Sequence, residues 1–175
     1  MEIKKIVVGP LEANCYALIQ NDACLIVDPG ADFAKIKEAI GECKVLGVLI
    51  THSHFDHIGA LRNFLTKRSI KIFKKSNLEE NICYSLGGFK FKAIYTPGHS
   101  KDSVTFYFEE ENCMFIGDFI FNGSIGRTDL PGGDATDMKN SIDKIKKYDE
   151  NIKIYPGHDM ESTLGQEFLN NPFLK

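Results

Sequence analysis

Residues 52–57 read His52-Ser53-His54-Phe55-Asp56-His57, which places four potential metal ligands within six positions. Imidazole and carboxylate groups suit zinc, iron and manganese. In an extended segment side chains alternate, so His52 and His54 fall on the same side of the chain. Asp56 and His57 follow where the chain turns into a helix, and can therefore address a second ion close to the first. Three further candidates stand elsewhere in similar surroundings. His99 follows Thr96-Pro97-Gly98, Asp118 follows Phe115-Ile116-Gly117, and His158 follows Tyr155-Pro156-Gly157. The chain has five histidines and all five belong to this set. One histidine after an apolar segment is ordinarily a surface or core residue. Five of five, three of them in one hexapeptide with an acid, indicate a metal site.

These residues need elements to position them. Apolar stretches rich in β-branched residues at 2–8, 13–20 and 23–28, punctuated by Gly9-Pro10 and Asn21-Asp22, predict an antiparallel meander. Phe33, Ile36, Ala39 and Ile40 repeat at helical spacing, so 32–41 is expected to be a helix. A strand at 44–50 then runs into the His52 cluster, and a helix is expected at 58–68. Further strands are expected near 70–73, 89–95, 103–108, 112–117 and 151–155, with helices near 135–148 and 161–169. Every ligand candidate then sits just past the C-terminal end of a strand, where open α/β sheets place their sites. The fold class expected is α/β, with strands and helices in layers.

Composition narrows the partners. The 175 residues include 21 basic and 24 acidic side chains, a net charge of −3 with the basic pairs scattered. Nothing there calls for a nucleic acid or an anionic membrane. No apolar run approaches the ~20 residues of a membrane span. The start, Met1-Glu2-Ile3-Lys4-Lys5, has no leader pattern, so a cytoplasmic location is expected. Cys15, Cys24, Cys43, Cys83 and Cys113 are odd in number and widely spaced, which predicts reduced thiols buried as small core residues.

At these same residues the sequence resembles the metallo-β-lactamase superfamily along almost its whole length. Asn14-Cys15-Tyr16, Asp28-Pro29-Gly30, Thr51-His52 through Gly59, Thr96-Pro97-Gly98-His99-Ser100, Gly117-Asp118 and Tyr155-Pro156-Gly157-His158 match its motifs in order. Gly123-Ser124-Ile125-Gly126-Arg127-Thr128-Asp129 and the ending Asn171-Pro172-Phe173-Leu174 look like the small glyoxalase II-like hydrolases. The resemblance implies a four-layer αββα sandwich in a single domain over 1–175. It also implies two divalent ions, zinc foremost with iron or manganese as alternatives. Carried over by position, His52, His54 and His99 would bind one ion, Asp56, His57 and His158 the other, and Asp118 would bridge them. Asp28 would either support a ligand histidine from behind or simply end its strand. Arg127 aligns with a residue that contacts glutathione in relatives, and could equally pair with Asp129. Phe119, Phe121 and Tyr95 would line an acyl pocket or belong to the core. Two features depart from true glyoxalase II enzymes: no C-terminal helical glutathione-binding domain is expected, and Asp159-Met160 replaces a frequent Gly-Pro.

Two ions sharing a water lower its pKa from about 15.7 towards neutrality, which makes a hydroxide nucleophile available at pH 7. Asp56 and Asp118 are accordingly the catalytic acids of this reading. An amine leaving group needs a proton, whereas a thiol, with a pKa of about 8.5, leaves as the anion. The cluster has no free acid, so a small thioester is the expected substrate; the resemblance implies one such as S-lactoylglutathione, and a monomer or small homo-oligomer is expected as the working unit. The rival is a persulfide dioxygenase with one iron on His52, His99 and Asp118. A lactonase or other ester hydrolase is a further alternative, and a β-lactamase fits less well.

Overall fold

The computed structural model describes residues 1–65 and 69–175. In chain order the strands and helices are β1 (Glu2–Val8), β2 (Ala13–Gln20), β3 (Ala23–Val27), α1 (Phe33–Ile40), β4 (Lys44–Leu49), α2 (Phe55–Ile58), α3 (Leu61–Phe64) and β5 (Lys71–Phe73). The second half has β6 (Cys83–Leu86), β7 (Phe89–Tyr95), β8 (Val104–Phe108), β9 (Cys113–Gly117), β10 (Ile120–Phe121), β11 (Ser124–Ile125), α4 (Ala135–Ile145), β12 (Lys153–Pro156), β13 (Ser162–Thr163) and α5 (Leu164–Asn170). They build a five-stranded sheet in the order β1-β2-β3-β4-β5, a six-stranded sheet in the order β13-β12-β9-β8-β7-β6, and a small β10-β11 hairpin.

Alternation along the strands explains the layers. In β3, Leu25 and Val27 join Leu18, Leu49, Phe91, Phe106 and Phe115 in the core between the two sheets. The intervening Cys24 and Ile26 face the other way and pack with Ile36 and Ile40 of α1. Likewise Phe115 of β9 points inward, while Met114 and Ile116 meet Met138, Ile142 and Ile145 of α4 and Leu164 of α5. Helix, sheet, sheet, helix is the result: the αββα sandwich, as expected. The meander β1-β2-β3 is antiparallel, and β3, β4 and β5 are parallel.

Three expectations need correction. The helix expected at 58–68 is two short turns instead, α2 and α3, parted at Gly59-Ala60, and 66–68 lie outside the described residues. The break has a physical cause. Ala60 N–H donates to the Pro29 carbonyl at 2.9 Å, and a Cβ at Gly59 would stand 2.2 Å from the Gly30 carbonyl oxygen. This contact pins the chain to the turn after β3 and stops the helix from continuing. Strand β6 and the β10-β11 hairpin escape sequence reading, because short edge strands with one wet face carry weak alternation. The cysteines are all free, but only Cys15, Cys24 and Cys113 are buried. Cys43 is half-buried, and Cys83 is exposed on the outer face of edge strand β6.

Phe106 is fully buried between the sheets and touches the Phe91 ring edge-on. Phe106→Ala is expected to cost about 3–5 kcal/mol of stability by emptying that layer, read as a lowered midpoint in urea unfolding. A loss below 1 kcal/mol would contradict a core centred there.

Candidate metal centre

Strand direction gathers the site. Strands β3 and β4 are parallel, as are β9 and β12, and β7 shares the sense of β9 because two antiparallel steps separate them. Asp28, the His52–His57 segment, His99, Asp118 and His158 follow β3, β4, β7, β9 and β12 respectively. Their C-terminal ends therefore lie along one edge of the sandwich, and all seven predicted ligands come together there, with Asp28 behind them.

Two triads form. The ligand atoms of His52, His54 and His99 lie within 4.8 Å of one another, and so do those of Asp56, His57 and His158. Asp118 lies between them. Its Oδ2 is 3.5 Å from His99 Nε2 and 3.6 Å from His158 Nε2, and its Oδ1 is 3.3 Å from His57 Nε2. Asp56 Oδ2 stands 3.2 Å from His158 Nε2. Close approach of backbone makes this possible, since a Cβ on Gly157 would sit 2.1 Å from Asp118 Oδ1 and 2.7 Å from the His57 ring.

The hydrogen bonds behind the triads decide which ring nitrogen faces inward. Asp28 accepts from the Thr51 N–H (2.8 Å), the Thr51 hydroxyl (2.5 Å) and His57 Nδ1 (3.0 Å). The Thr51 proton is thereby committed to Asp28, so His52 Nδ1–H donates to Thr51 Oγ1 at 3.1 Å. His99 Nδ1–H donates to the Arg127 carbonyl at 2.8 Å, because a carbonyl only accepts. With Nδ1 occupied in each ring, Nε2 points into the site. His54 is reversed and presents Nδ1, 2.9 Å from His99 Nε2. Asp28, His52 and His57 also offer three atoms close together. Both Asp28 oxygens already accept hydrogen bonds, however, so Asp28 acts as the support for His57 and, through Thr51, for His52.

A direct test of whether ions fit is the state of the buried polar atoms. Among the described residues, His52 Nε2, His57 Nε2 and Asp118 Oδ1 are buried without a hydrogen-bond partner. Unpaired buried atoms each cost about 1–3 kcal/mol, and here all three converge where the triads point. Cations are what would satisfy them. Burial, with the neighbouring imidazoles, holds His52 well below the usual histidine range, and burial with His99 lowers His54. Burial pulls His57 down as well, but the Asp118 carboxylate 3.3 Å from its Nε2 and the Asp28 carboxylate 3.0 Å from its Nδ1 outweigh it and lift its pKa to about 10. Burial would raise Asp118, yet the adjacent His57, with His52 and His158, holds it well below the carboxylate range.

The chain matches the profile of the metallo-beta-lactamase superfamily over residues 8–85 and 76–158. It belongs to that superfamily. Probable metallo-hydrolase YqgX of Bacillus subtilis (strain 168) is 34% identical over 206 aligned positions, covering 99% of this chain and 98% of the relative. Hydroxyacylglutathione hydrolase GloC of Haemophilus influenzae is 31% identical, covering 99% and 98%. Among solved structures, the BLEG-1 B3 metallo-beta-lactamase superposes with a TM-score of 0.91 at 34% identity, covering 99% of this chain and 100% of that one. The di-iron-bound form of TTHA1623 gives 0.84 at 28% identity, covering 97% and 99%. The fold is one that binds divalent metals, and this chain carries its histidine-rich sites.

Outside the triads, Arg127 is exposed, and its guanidinium grips Asp129 through Nε and Nη2, each at 2.7 Å. Phe119 is buried in the core against α4. Tyr95 and Phe121 are half-buried, with the Phe121 ring 6.2 Å from His158. Sequence reasoning missed three supports: the Thr51 hydroxyl, the Arg127 carbonyl, and the pair Asn14 and Tyr16. Asn14 Nδ2 donates to the Pro156 and Asp159 carbonyls at 3.0 Å each, and Tyr16 OH donates to Pro156 at 2.7 Å, which anchors the His158 turn. A buried asparagine within an otherwise apolar strand was the available signal. Main-chain acceptors carry none.

Gly157→Ala is expected to displace Asp118 and His57 and to lower bound metal by at least one ion per chain, read by elemental analysis on a variant that still folds by circular dichroism. Full metal content would refute the close-approach argument. The raised pKa of His57 favours its protonated form at pH 7–8, whereas the lowered pKa of His52 and of His54 favours their neutral forms there. Metal uptake at pH 7–8 should therefore release a proton, and affinity should rise with pH. Calorimetry in buffers of different ionisation enthalpy checks this, and buffer-independent heats would contradict it.

Proposed function

We propose that this protein is a dinuclear metal-dependent hydrolase of small thioesters, with hydroxyacylglutathione as the first compound to try. The observation that carries the reading is the pair of triads, each complete and both served by the one Asp118 carboxylate. His52, His54 and His99 would hold one ion, Asp56, His57 and His158 the other, and Asp118 would bridge them. Zinc suits this donor set, as do iron and manganese. Ions bound there supply a water whose pKa falls from about 15.7 to about 7 and a Lewis acid for the carbonyl oxygen.

The protein's own groups supply the rest. Asp28 and Thr51 keep His57 and His52 in the tautomer that turns Nε2 inward. Asp56 and Asp118 place negative charge beside His158 and His57, which fixes the site's shape and keeps those rings turned towards it. Every titratable side chain among these residues is committed to the cluster, so none stands free to protonate a leaving amine. A thiolate needs no proton to depart, which favours thioesters over amides. Arg127 would bind a carboxylate of the thiol portion by exchanging it for Asp129. Exposed ion pairs of that kind hold by only about 0–1 kcal/mol, so the exchange is cheap. The likeness to GloC supports this choice of substrate class.

The experiment is metal analysis of the purified protein alongside thiol release from S-lactoylglutathione. Two ions per chain and turnover are expected. Asp56→Ala should lose one ion and reduce kcat/KM at least a hundredfold. One iron per chain, with oxygen uptake on glutathione persulfide and no thiol release, would replace this reading with a dioxygenase.

A further inference from the structure

The turn joining β1 to β2 carries two cavities that meet at Leu11. One, about 230 Å³, is walled by Val8, Pro10, Leu11, Ala31 and Phe55, and among the described residues Asp56 is the one charged residue along it. The other, about 240 Å³, is walled by Lys5, Glu12, Asn14, His158 and Asp159 as well as Leu11. Each cavity therefore touches one member of the same triad, Asp56 on one side and His158 on the other. Phe55 is 72% exposed and Leu11 51% exposed, two large apolar side chains left in water beside a charged cluster. Contiguous exposed apolar surface marks a binding site more often than an accident of packing.

The apolar cavity is built rather than incidental. Its outer wall is tied to α1, since Gly9 N–H donates to Asp32 Oδ2 at 2.9 Å and Lys35 Nζ donates to the Val7 carbonyl at 2.6 Å. Within the turn, Glu12 N–H donates to the Gly9 carbonyl at 3.2 Å. Its floor is the contact between Gly30 and Gly59, where a Cβ on Gly30 would overlap the Asp56 carbonyl at 1.6 Å. Backbone, not mobile side chains, thus sets the floor, and a guest would find the space already shaped.

We infer that this cavity receives an apolar acyl chain of several carbons, making the enzyme selective for thioesters of longer over shorter acyl groups. The inference rests on the thioester reading above. The cavity across Leu11 offers no home for such a chain, because burying carbon against Lys5 and Glu12 would strip their water without replacing its hydrogen bonds. The acyl group is directed to the Asp56 side, where its carbonyl stays beside the triad.

Each methylene buried there should raise kcat/KM about fourfold until the cavity is filled. The test is a series of acetyl, butanoyl, hexanoyl and lactoyl thioesters of N-acetylcysteamine with the metal-loaded protein, its Leu11→Gln and Phe55→Gln variants, and sedimentation of all three. The expected result is a rise from acetyl to hexanoyl in the parent and a flattened series in both variants. A flat series in the parent, or an unchanged preference in both variants, overturns the proposal. So does a dimer that Leu11→Gln dissociates, since the patch would then be covered by a second copy. Should no thioester be cleaved, the reading of function fails by itself. Calorimetric binding of butanoate and hexanoate then still decides the cavity: affinity rising with chain length and lost in Leu11→Gln supports it, and equal affinities refute it.

Discussion

Asp28 ends β3 in a left-handed backbone conformation, with φ of 48°, and its two carboxylate oxygens accept from three donors. That conformation costs about 1–2 kcal/mol in a residue with a side chain, and the three charge-assisted hydrogen bonds offset it. One bond reaches His57 of the second triad. Another reaches Thr51, whose oxygen then fixes His52 of the first triad. A single buried carboxylate thus sets the ring orientation of one histidine in each half of the centre, and it joins the ends of two parallel strands in doing so.

The rest of the site follows the same logic of support from behind. His99 is aimed by the Arg127 carbonyl, and the turn bearing His158 is held by Asn14 and Tyr16. These two supports come from elements other than the ones carrying the residues they aim, so each ties one strand end to a neighbour. The strands themselves are rigid because alternate residues commit to two different cores. Chemistry at one edge therefore depends on packing throughout the sandwich, and Asp118 is held below the usual carboxylate range because the adjacent His57 outweighs the effect of burial.

Much of this was legible in the sequence. The ligands were visible because a His-x-His-x-Asp-His run is too dense to be structural, and because His99, Asp118 and His158 each close an apolar strand before a turn. Layered architecture was visible in the interleaving of apolar, β-branched stretches with segments of helical spacing such as that of Ile36 and Ile40. The 58–68 region was misread because its apolar spacing is helical, while the contact that breaks it, Gly59 against Gly30, joins residues far apart in the chain. Arg127 was noticed for its side chain, yet the group that meets the site is its carbonyl, and no residue type announces a main-chain acceptor.

The sequence by itself determined which residues meet, since ligand chemistry is written in residue type and spacing, and strand ends are marked by Pro and Gly. Only the tertiary structure decided how they meet: which nitrogen of each ring faces inward, that Asp118 stands between two triads, and that Gly157 must lack a side chain. Those outcomes depend on distances of 2–4 Å between segments as much as 145 residues apart, such as Asn14 and Asp159. Spacing along a chain carries no record of such distances until the strands have paired.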